Sequence, residues 1–336
     1  MTDKTYIIVT SIAAPNATLR SLANGCMEQG YHFIVIGDQA SPADFHIDGC
    51  DFYSLERQKA TGFKFARVCP TRHYARKNIG YLLAMRDGAS LIIETDDDNV
   101  PYRNFWFQRK RTLRAQVVEG KDWVNVYRYF SNKNIWPRGF PLELVHKQVL
   151  FYDALTVADA DCPIQQGLVN DNPDVDAVYR LIMPLPQTFR KNRHIALSQG
   201  CWCPFNSQNT AWWPDVFKLL YLPSCCSFRM TDIWRSFIAQ RIVWLNGWKI
   251  LFYGPDMGQS RNVHNLLRDF SDEIPGYLHN DEIRSALENL PLESGAEKIS
   301  NNLRICYQKL VGMSLIGADE LKLLDAWLDD IHQIRT

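Results

Sequence analysis

Residues 91–99 read LIIETDDDN, an apolar run that ends in three consecutive aspartates. A short apolar run predicts a buried β-strand, so Asp96, Asp97 and Asp98 would lie at its carboxyl end. Open α/β sheets bind their ligands at that edge. Because like charges repel, the triplet favours a divalent cation, Mn²⁺ or Mg²⁺, shared with a diphosphate. A solvated acidic turn or a helix N-cap cluster is the alternative interpretation.

The sequence before this strand predicts alternating strands and helices. Residues 6–11 and 32–36 are apolar, β-rich runs, and between them apolar residues recur at helical spacing from the N-cap Asn16 to Gly30. A second helix is expected over about residues 72–86, directly before the aspartate strand. A strand–helix–strand order of this kind implies a parallel sheet.

The second half of the chain is less regular. Residues 122–127 and 248–252 predict strands, residues 232–244 predict a helix, and three amphipathic helices follow near the C-terminus. We expect one α/β domain over residues 1–275 and a helical C-terminal extension over residues 276–336 that packs on it. The extension could also contribute a contact in a homo-oligomer.

The amino-acid composition and the missing motifs exclude several classes of protein. The 336 residues carry 37 basic and 37 acidic side chains, a balance that argues against a general nucleic-acid binder. No apolar run has the length of a signal peptide core or a membrane span, so we expect a cytoplasmic protein. The nine cysteines show no C-x-x-C spacing, which favours reduced thiols over a zinc site. Dinucleotide-binding, P-loop and nucleophile-elbow motifs are absent from the sequence.

The predicted strand ends supply candidates for a nucleotide site. Thr10 and Ser11 follow the first strand and Asp38 follows the second, positions from which they could hold a base and a ribose. An ordinary Gly-Asp turn is the alternative for Asp38. Asp96 and Asp97 are further candidates for contacts to the nucleotide.

A basic segment precedes the second predicted helix. Arg72, Arg76 and Lys77 lie in residues 69–80, CPTRHYARKNIG, near the expected helix start. Cations there oppose the helix dipole, so the placement favours an anion such as a phosphate nearby. A solvated basic face is the alternative.

Three later segments carry further candidates. Asn209 and Trp212 combine an amide with an aromatic ring, a mixture suited to sugar rings. Asp232 stands at a predicted helix start, where it is either an N-cap or an acid/base near an anomeric carbon. Asp96 and Asp98 are the candidate metal-binding carboxylates. His264 is either a further metal ligand or an ordinary polar histidine.

Five segments together resemble the STELLO-type glycosyltransferases, and the similarity extends over about residues 5–270. More distantly, the chain is similar to the plant reversibly glycosylated polypeptides, which are UDP-arabinopyranose mutases. The segments are residues 8–12, 33–38, 69–78, 94–99 and 136–141.

The resemblance implies a GT-A-like α/β fold, Rossmann-like, with a mostly parallel mixed sheet flanked by helices. It also implies a UDP-sugar type donor and Mn²⁺ or Mg²⁺ at the aspartates; the acceptor, a glycan or a small molecule, is not indicated. In the mutases the arginine that matches Arg138 is self-glycosylated, which makes Arg138 a catalytic candidate. Asn99 follows the triplet where mutases usually carry Cys. Glycosyl transfer is the first hypothesis, and a sugar-nucleotide mutase or a non-catalytic sugar-nucleotide-binding scaffold are the alternatives.

Overall fold

A computed structural model describes residues 4–260 and 265–335. Its strands are β1 (Thr5–Thr10), β2 (His32–Ile36), β3 (Asp51–Tyr53), β4 (Leu91–Thr95), β5 (Asn99–Pro101), β6 (Thr112–Val118), β7 (Asp122–Trp123), β8 (Thr156–Asp161), β9 (Ile164–Asn170), β10 (His194–Leu197), β11 (Cys201–Trp202), β12 (Asn209–Trp212) and β13 (Ile250–Gln259). Its helices are α1 (Ala17–Gln29), α2 (Leu55–Ala60), α3 (Lys64–Val68), α4 (Lys77–Arg86), α5 (Tyr127–Phe130), α6 (Ala177–Ile182), α7 (Thr231–Trp244), α8 (Leu266–Glu288), α9 (Ile299–Gly312) and α10 (Glu320–Arg335). Among the described residues, no helix combines the length and the apolar character needed to cross a bilayer.

A single mixed sheet forms the centre of the fold. Its strands follow the order β3-β2-β1-β4-β12-β9-β13-β10-β6-β8, and β5 pairs with the end of β13. The first four strands of that order are mutually parallel, and β12 runs antiparallel between β4 and β9. The carboxyl ends of β1, β2 and β4 therefore meet at one edge. This architecture confirms the expected GT-A-like α/β fold.

Local signals in the first half of the sequence gave the elements correctly. The Asn16 side chain accepts a hydrogen bond from Leu19 N at the start of α1, and Gly30 ends that helix in the left-handed conformation with φ of 67°. The helix expected over 72–86 begins only at Lys77, because residues 74–76 form a 3-10 turn capped by His73.

Two predicted strand boundaries in the second half were wrong. The strand expected over 122–127 is only two residues long and pairs with β11 outside the main sheet. The strand expected to stop at residue 252 continues to Gln259 through a register shift around Pro255, which cannot donate a ladder hydrogen bond. α8 begins at Leu266 and contains Pro275, a residue that usually ends a helix.

The C-terminal helices pack on the sheet domain through one shared hydrophobic cluster. Trp327 of α10 contacts the rings of Phe65 and Tyr221 at centroid distances of 6.2 and 5.9 Å. The carboxylate of Asp330 accepts hydrogen bonds from the N–H groups of Lys64 and Phe65 at 2.9 and 2.8 Å and so caps α3. The division at residues 275 and 276 falls inside α8 and stays a prediction.

Candidate functional site

Two adjoining cavities form a continuous cleft along the edge where β1, β2 and β4 end. The larger has a volume of about 570 Å³ and lies over the ends of β1 and β2, and the smaller has about 270 Å³ and lies over the aspartate triplet. Thr10, Tyr74, Asp97 and Phe228 line both. The combined space lies in the range of small-molecule sites.

Asp97 joins the end of β4 to the end of β1. Its Oδ2 accepts a hydrogen bond from Ser11 Oγ at 2.5 Å, and its carbonyl oxygen accepts one from Asn16 Nδ2 at 2.9 Å. Ser11 O in turn accepts a hydrogen bond from Ser41 Oγ at 2.8 Å. Thr10, Ser11 and Asp97 are therefore brought together, as the sequence predicted.

The other two aspartates of the triplet, Asp96 and Asp98, each accept a hydrogen bond from a neighbouring side chain. Lys77 is fully buried, and its Nζ donates to Asp96 Oδ1 at 2.9 Å and to Thr95 O at 2.8 Å. Burial raises the pKa of Asp96 to about 6; Lys77 opposes this shift and Asp98 adds to it. Asp98 accepts a hydrogen bond from Gln259 Nε2 at 3.0 Å. Lys77 is thus an internal counter-charge for the triplet, with its ammonium beneath the cleft.

The outer end of the cleft contains Asp38 and Arg72. Asp38 accepts hydrogen bonds from the N–H groups of Gln39 and His73 at 2.7 and 3.0 Å, so its carboxylate fixes the loop that lines the larger cavity. Arg72 is exposed in a left-handed conformation with φ of 58°, and its Nε donates to Gln39 Oε1 at 2.8 Å.

Arg76 is oriented differently from its neighbour Arg72. It is buried, and its guanidinium donates to Gln58 Oε1 at 2.8 Å and to the carbonyl oxygens of Cys69 and Pro70 at 3.0 and 3.2 Å. These contacts connect the segment before α4 to α2 and α3. Arg76 contributes to the wall of the larger cavity chiefly as a structural anchor.

A buried ionic cluster faces the triplet across the smaller cavity. Arg138 donates from Nε and Nη2 to the two carboxylate oxygens of Asp174, both at 2.8 Å. Its Nη1 and Nη2 donate to the two oxygens of Asp232 at 3.1 and 3.0 Å. Nη1 also donates to the carbonyl oxygen of Arg229. Two bidentate pairs of this kind hold the guanidinium in a fixed plane.

The state of Asp232 follows from these partners. Burial alone would favour its neutral form, but Arg138 stabilises the carboxylate, and the pKa of Asp232 falls to about 2. The same carboxylate accepts a hydrogen bond from Ser207 N at 3.1 Å. Asp232 lies in the first turn of α7, and its side chain binds Arg138 and Ser207 instead of capping the helix.

The structure does not bring Asn209 and Trp212 to the cleft. Both are buried within β12, where Asn209 Nδ2 donates to Asp256 Oδ1 at 2.5 Å and Trp212 Nε1 donates to Glu94 Oε1 at 2.9 Å. The amide nitrogen of Asn209 and the indole nitrogen of Trp212 thus donate to buried carboxylates inside the sheet layer. Because β12 is flanked by β4 and β9, these residues support the site from within.

Sequence reasoning missed Asp174 and Arg229, which both line the smaller cavity. Asp174 belongs to the acidic run NDNPDVD over residues 170–176, which follows β9 as the triplet follows β4 and could have been recognised. No sequence motif around Arg229 marked it as a site residue. Its Nε donates to the buried Glu273 of α8 at 2.9 Å, so its position depends on a helix far along the chain.

The predicted metal site stays a prediction. His264 lies outside the described residues. Within residues 4–260 and 265–335, no three His, Cys, Asp or Glu side chains converge on one point. Each carboxylate of the triplet instead has its own polar partner.

The comparisons with known proteins relate this chain to the STELLO glycosyltransferases. The family model for STELLO glycosyltransferases matches residues 229–336. Probable glycosyltransferase STELLO2 of Arabidopsis thaliana is 28% identical over 98% of this chain and 45% of its own length. The chain is similar in sequence to the STELLO glycosyltransferases. STELLO1 of the same plant, also named a probable glycosyltransferase, is 30% identical over 74% of this chain and 34% of its own length.

The matches cover only part of the relatives, and they extend further along this chain than the sequence resemblance did. The chain spans less than half the length of the curated relatives it matches. The family match includes α8, α9 and α10, whereas the sequence resemblance was placed over residues 5–270. The helical extension is therefore part of the family's shared sequence.

Two solved structures match this chain at low sequence identity. The crystal structure of Mycobacterium tuberculosis glucosyl-3-phosphoglycerate synthase matches with a TM-score of 0.41 and 11% identity, over 83% of this chain and 81% of that one. A mycobacterial protein matches with a TM-score of 0.42 and 11% identity, over 83% and 75% of the two chains.

Proposed function

We propose that this chain transfers a glycosyl group from a nucleoside-diphosphate sugar, with a UDP-sugar as the first donor to test, in the presence of Mn²⁺ or Mg²⁺. The observation that carries the proposal is the cleft itself. It places the carboxylates of Asp96, Asp97 and Asp98 opposite the Arg138 cluster, at the ligand-binding edge of a STELLO-type α/β sheet. The acceptor would be a glycan or a small molecule.

The two cavities suit different parts of such a donor. The larger has apolar walls that include Ile36, the ring of Tyr74 and the ring of Phe228, which fit a base and ribose. The smaller is lined mainly by charged and amide side chains, which fit a diphosphate and sugar hydroxyls. Asp97 and Thr10 stand at the junction, where the diphosphate would pass.

The chemistry of the smaller cavity fits a hard divalent cation. Asp96 and Asp98 offer carboxylate oxygens, and burial, with a smaller contribution from the charge of Asp98, raises the pKa of Asp96. Gln259 is buried beside Asp98, and its Oε1 has no hydrogen-bond partner among the residues that the structure describes. Mg²⁺ and similar ions commonly bind one or two carboxylates together with substrate phosphates. When bound, the cation would neutralise the diphosphate and stabilise it as a leaving group.

Arg229 supplies a cation toward the same diphosphate. The guanidinium of Arg138 is saturated by Asp174 and Asp232, and Lys77 is bonded beneath the triplet. Arg229 lines the cavity, and Glu273 engages its Nε and Nη2, with Nη2 at 2.8 Å from Glu273 Oε1. Nη2 of Arg229 is buried and, among the described residues, makes no hydrogen bond beyond this ion pair, so the guanidinium could also donate to a phosphate oxygen.

Arg138 and Asp232 then act by fixing the site. A nucleophilic guanidinium must lose its proton, yet the two carboxylates, working against burial, raise the pKa of Arg138 well above its ordinary value. This favours transfer to an external acceptor over self-glycosylation at Arg138. Asp232, with a pKa of about 2, is a poor proton acceptor and orients the groups around the reacting carbon.

A thermal-shift comparison tests the proposal. We expect UDP with Mn²⁺ to raise the melting temperature by about 5 °C when UDP is present at about 100 times its dissociation constant. Asp98→Ala should remove the Mn²⁺-dependent part of that shift. Asp159→Ala, at an exposed position on β8, is the matched control and should keep it.

Chromatography after incubation with UDP-sugars separates the alternatives. Release of UDP supports transfer or hydrolysis, and a new nucleotide-sugar peak supports the mutase. Binding without turnover supports a scaffold. If wild-type protein shows no stabilisation by any nucleotide with Mn²⁺, the proposed function is wrong.

A further inference from the structure

A separate cavity, here called the α7 cavity, lies where the ends of α7 and α8 meet β11. Its volume is about 240 Å³, and none of the described residues that line it also lines the cleft. Cationic, amide and indole side chains form its walls, among them Lys121, Gln199, Trp202 and Arg241. Because drug-sized ligands occupy about 300–1,000 Å³, a cavity of this volume suits a smaller ligand.

Arg241 brings a positive charge to this cavity that the fold does not balance. The side chain is half-buried, and its Nε and Nη2 donate to the carbonyl oxygens of Leu287 and Leu290 at 2.9 and 3.2 Å. It forms no ion pair with a described carboxylate. Burial therefore lowers the pKa of Arg241, and Glu288 opposes this only in part, whereas a bidentate carboxylate raises the pKa of Arg235. A desolvated cation of this kind would be stabilised by an anion in the cavity.

Glu288 lines the cavity but is engaged elsewhere. Its Oε1 accepts a hydrogen bond from Trp202 Nε1 at 2.7 Å, and its Oε2 accepts one from Arg284 Nη1 at 2.9 Å. The Trp202 ring also packs edge to face against the ring of Trp244, with centroids 4.9 Å apart. These contacts fix the wall of the cavity and leave the charge of Arg241 for a ligand.

Lys121 supplies a second cation at the rim of the α7 cavity. Its side chain is exposed, and its stem passes over Gly200, where an added Cβ would lie 3.1 Å from Lys121 Cγ. The glycine, with φ of 85°, thus keeps this position open for the lysine. Gln199 adds an exposed amide to the same wall. An arginine and a lysine beside an amide donor are groups that bind phosphate oxygens in proteins.

We propose that the α7 cavity is a second ligand site, which binds the phosphate group of a small phosphate monoester. Two cations match the charge of about −1.5 to −2 that a monoester carries at pH 7. The amide and the indole edges suit a small hydroxylated body such as a sugar. The site is distinct from the cleft, because Arg241 follows Asp232 by nine residues in α7, about 14 Å along the helix axis at about 1.5 Å per residue.

Isothermal titration calorimetry with inorganic phosphate, at constant ionic strength and without Mn²⁺, tests the site on the full chain. We expect Lys121→Met to weaken phosphate binding about tenfold, since the variant loses one charge-assisted contact. Lys133→Met is the matched control, because Lys133 is exposed and lines neither the cleft nor the α7 cavity, and it should bind phosphate as the wild type does. Lys121→Met should keep the wild-type melting temperature in chloride buffer, which shows that it folds.

A second variant separates this site from the cleft. Arg229→Met removes a cation from the cleft and should leave phosphate binding within about threefold of the wild type. Lys121→Met should in turn leave the stabilisation by UDP and Mn²⁺ unchanged, so either proposal can fail while the other stands. No saturable phosphate binding, or binding that is lost in Arg229→Met and kept in Lys121→Met, would overturn the second site.

A comparison of ligands tests the monoester. Glucose 6-phosphate should bind more tightly than inorganic phosphate, and the difference should remain in Lys133→Met. Glucose, which has no phosphate, should not bind measurably. Glucose 6-phosphate that binds no more tightly than inorganic phosphate would overturn the assignment to a phosphate monoester.

Discussion

Replacing Arg138 with Met removes the cation that two buried carboxylates share. The side chains of Asp174 and Asp232 are only 8 and 5% exposed, so water cannot take over the role of the guanidinium. Breaking a buried ion pair from one side costs about 3–5 kcal/mol. A free energy of unfolding of about 5–15 kcal/mol is usual for a folded domain. We therefore expect Arg138→Met to lose a large part of the chain's stability.

The pH dependence of that loss has a definite sign. In the wild type the pKa of Asp232, about 2, lies below its ordinary value of 3.8, so its ionisation stabilises the fold above about pH 4, an effect lost as pH falls toward 2. Without Arg138, burial raises the pKa of Asp232 above the unfolded value. The stability of the variant then falls as the pH rises from the unfolded pKa of Asp232 to its raised pKa in the folded variant. The deficit of the variant should be smaller at pH 5 than at pH 7.

Urea unfolding followed by circular dichroism at pH 5 and pH 7 measures both effects. Arg20→Met is the matched control, because Arg20 is exposed on α1, and it should change the free energy of unfolding by less than about 0.5 kcal/mol. Arg138→Met with Asp232→Asn should be less destabilised than the sum of the single changes, since the residues share one network. A deficit below about 1 kcal/mol for Arg138→Met, or one that grows toward pH 5, would refute the buried-cluster reasoning.

Three further changes test other parts of the fold and site. Arg229→Met should weaken UDP binding about tenfold or more in calorimetry, because a charge-assisted hydrogen bond to a phosphate contributes about 1.5–3 kcal/mol. The binding of uridine, which has no phosphate, should stay unchanged. Asp330→Ala removes the cap of α3 and should lower the urea-derived stability by about 1–2 kcal/mol; no change would mean that α10 does not hold α3 there. Gly139→Ala should lower the melting temperature, with a cost of about 2 kcal/mol, because φ is 87° and the new Cβ would lie 2.5 Å from Ile233 Cγ2. A wild-type melting temperature would contradict that geometry.

The local sequence determined the first part of the fold and one wall of the site. Caps at Asn16 and Gly30 and the apolar runs of β1, β2 and β4 are signals read over a few residues, so the parallel start of the sheet could be predicted. Parallel strands end at a common edge, which made the meeting of Thr10 and Ser11 with the aspartate triplet predictable. The predicted strand end at residue 252 was wrong because β13 continues through Pro255, where tertiary packing outweighs the local preference of proline.

Only the tertiary structure decided which polar residues face the cleft and which serve the interior. Asn209 and Trp212 have the chemistry of ligand-binding groups, yet their side chains are bonded to buried partners within the fold. Arg138 and Asp232 meet across 94 residues of sequence, and no short-range pattern records that pairing. The direction of a side chain is set by the strands and helices that pack around it, whereas sequence spacing fixes only its place along one element.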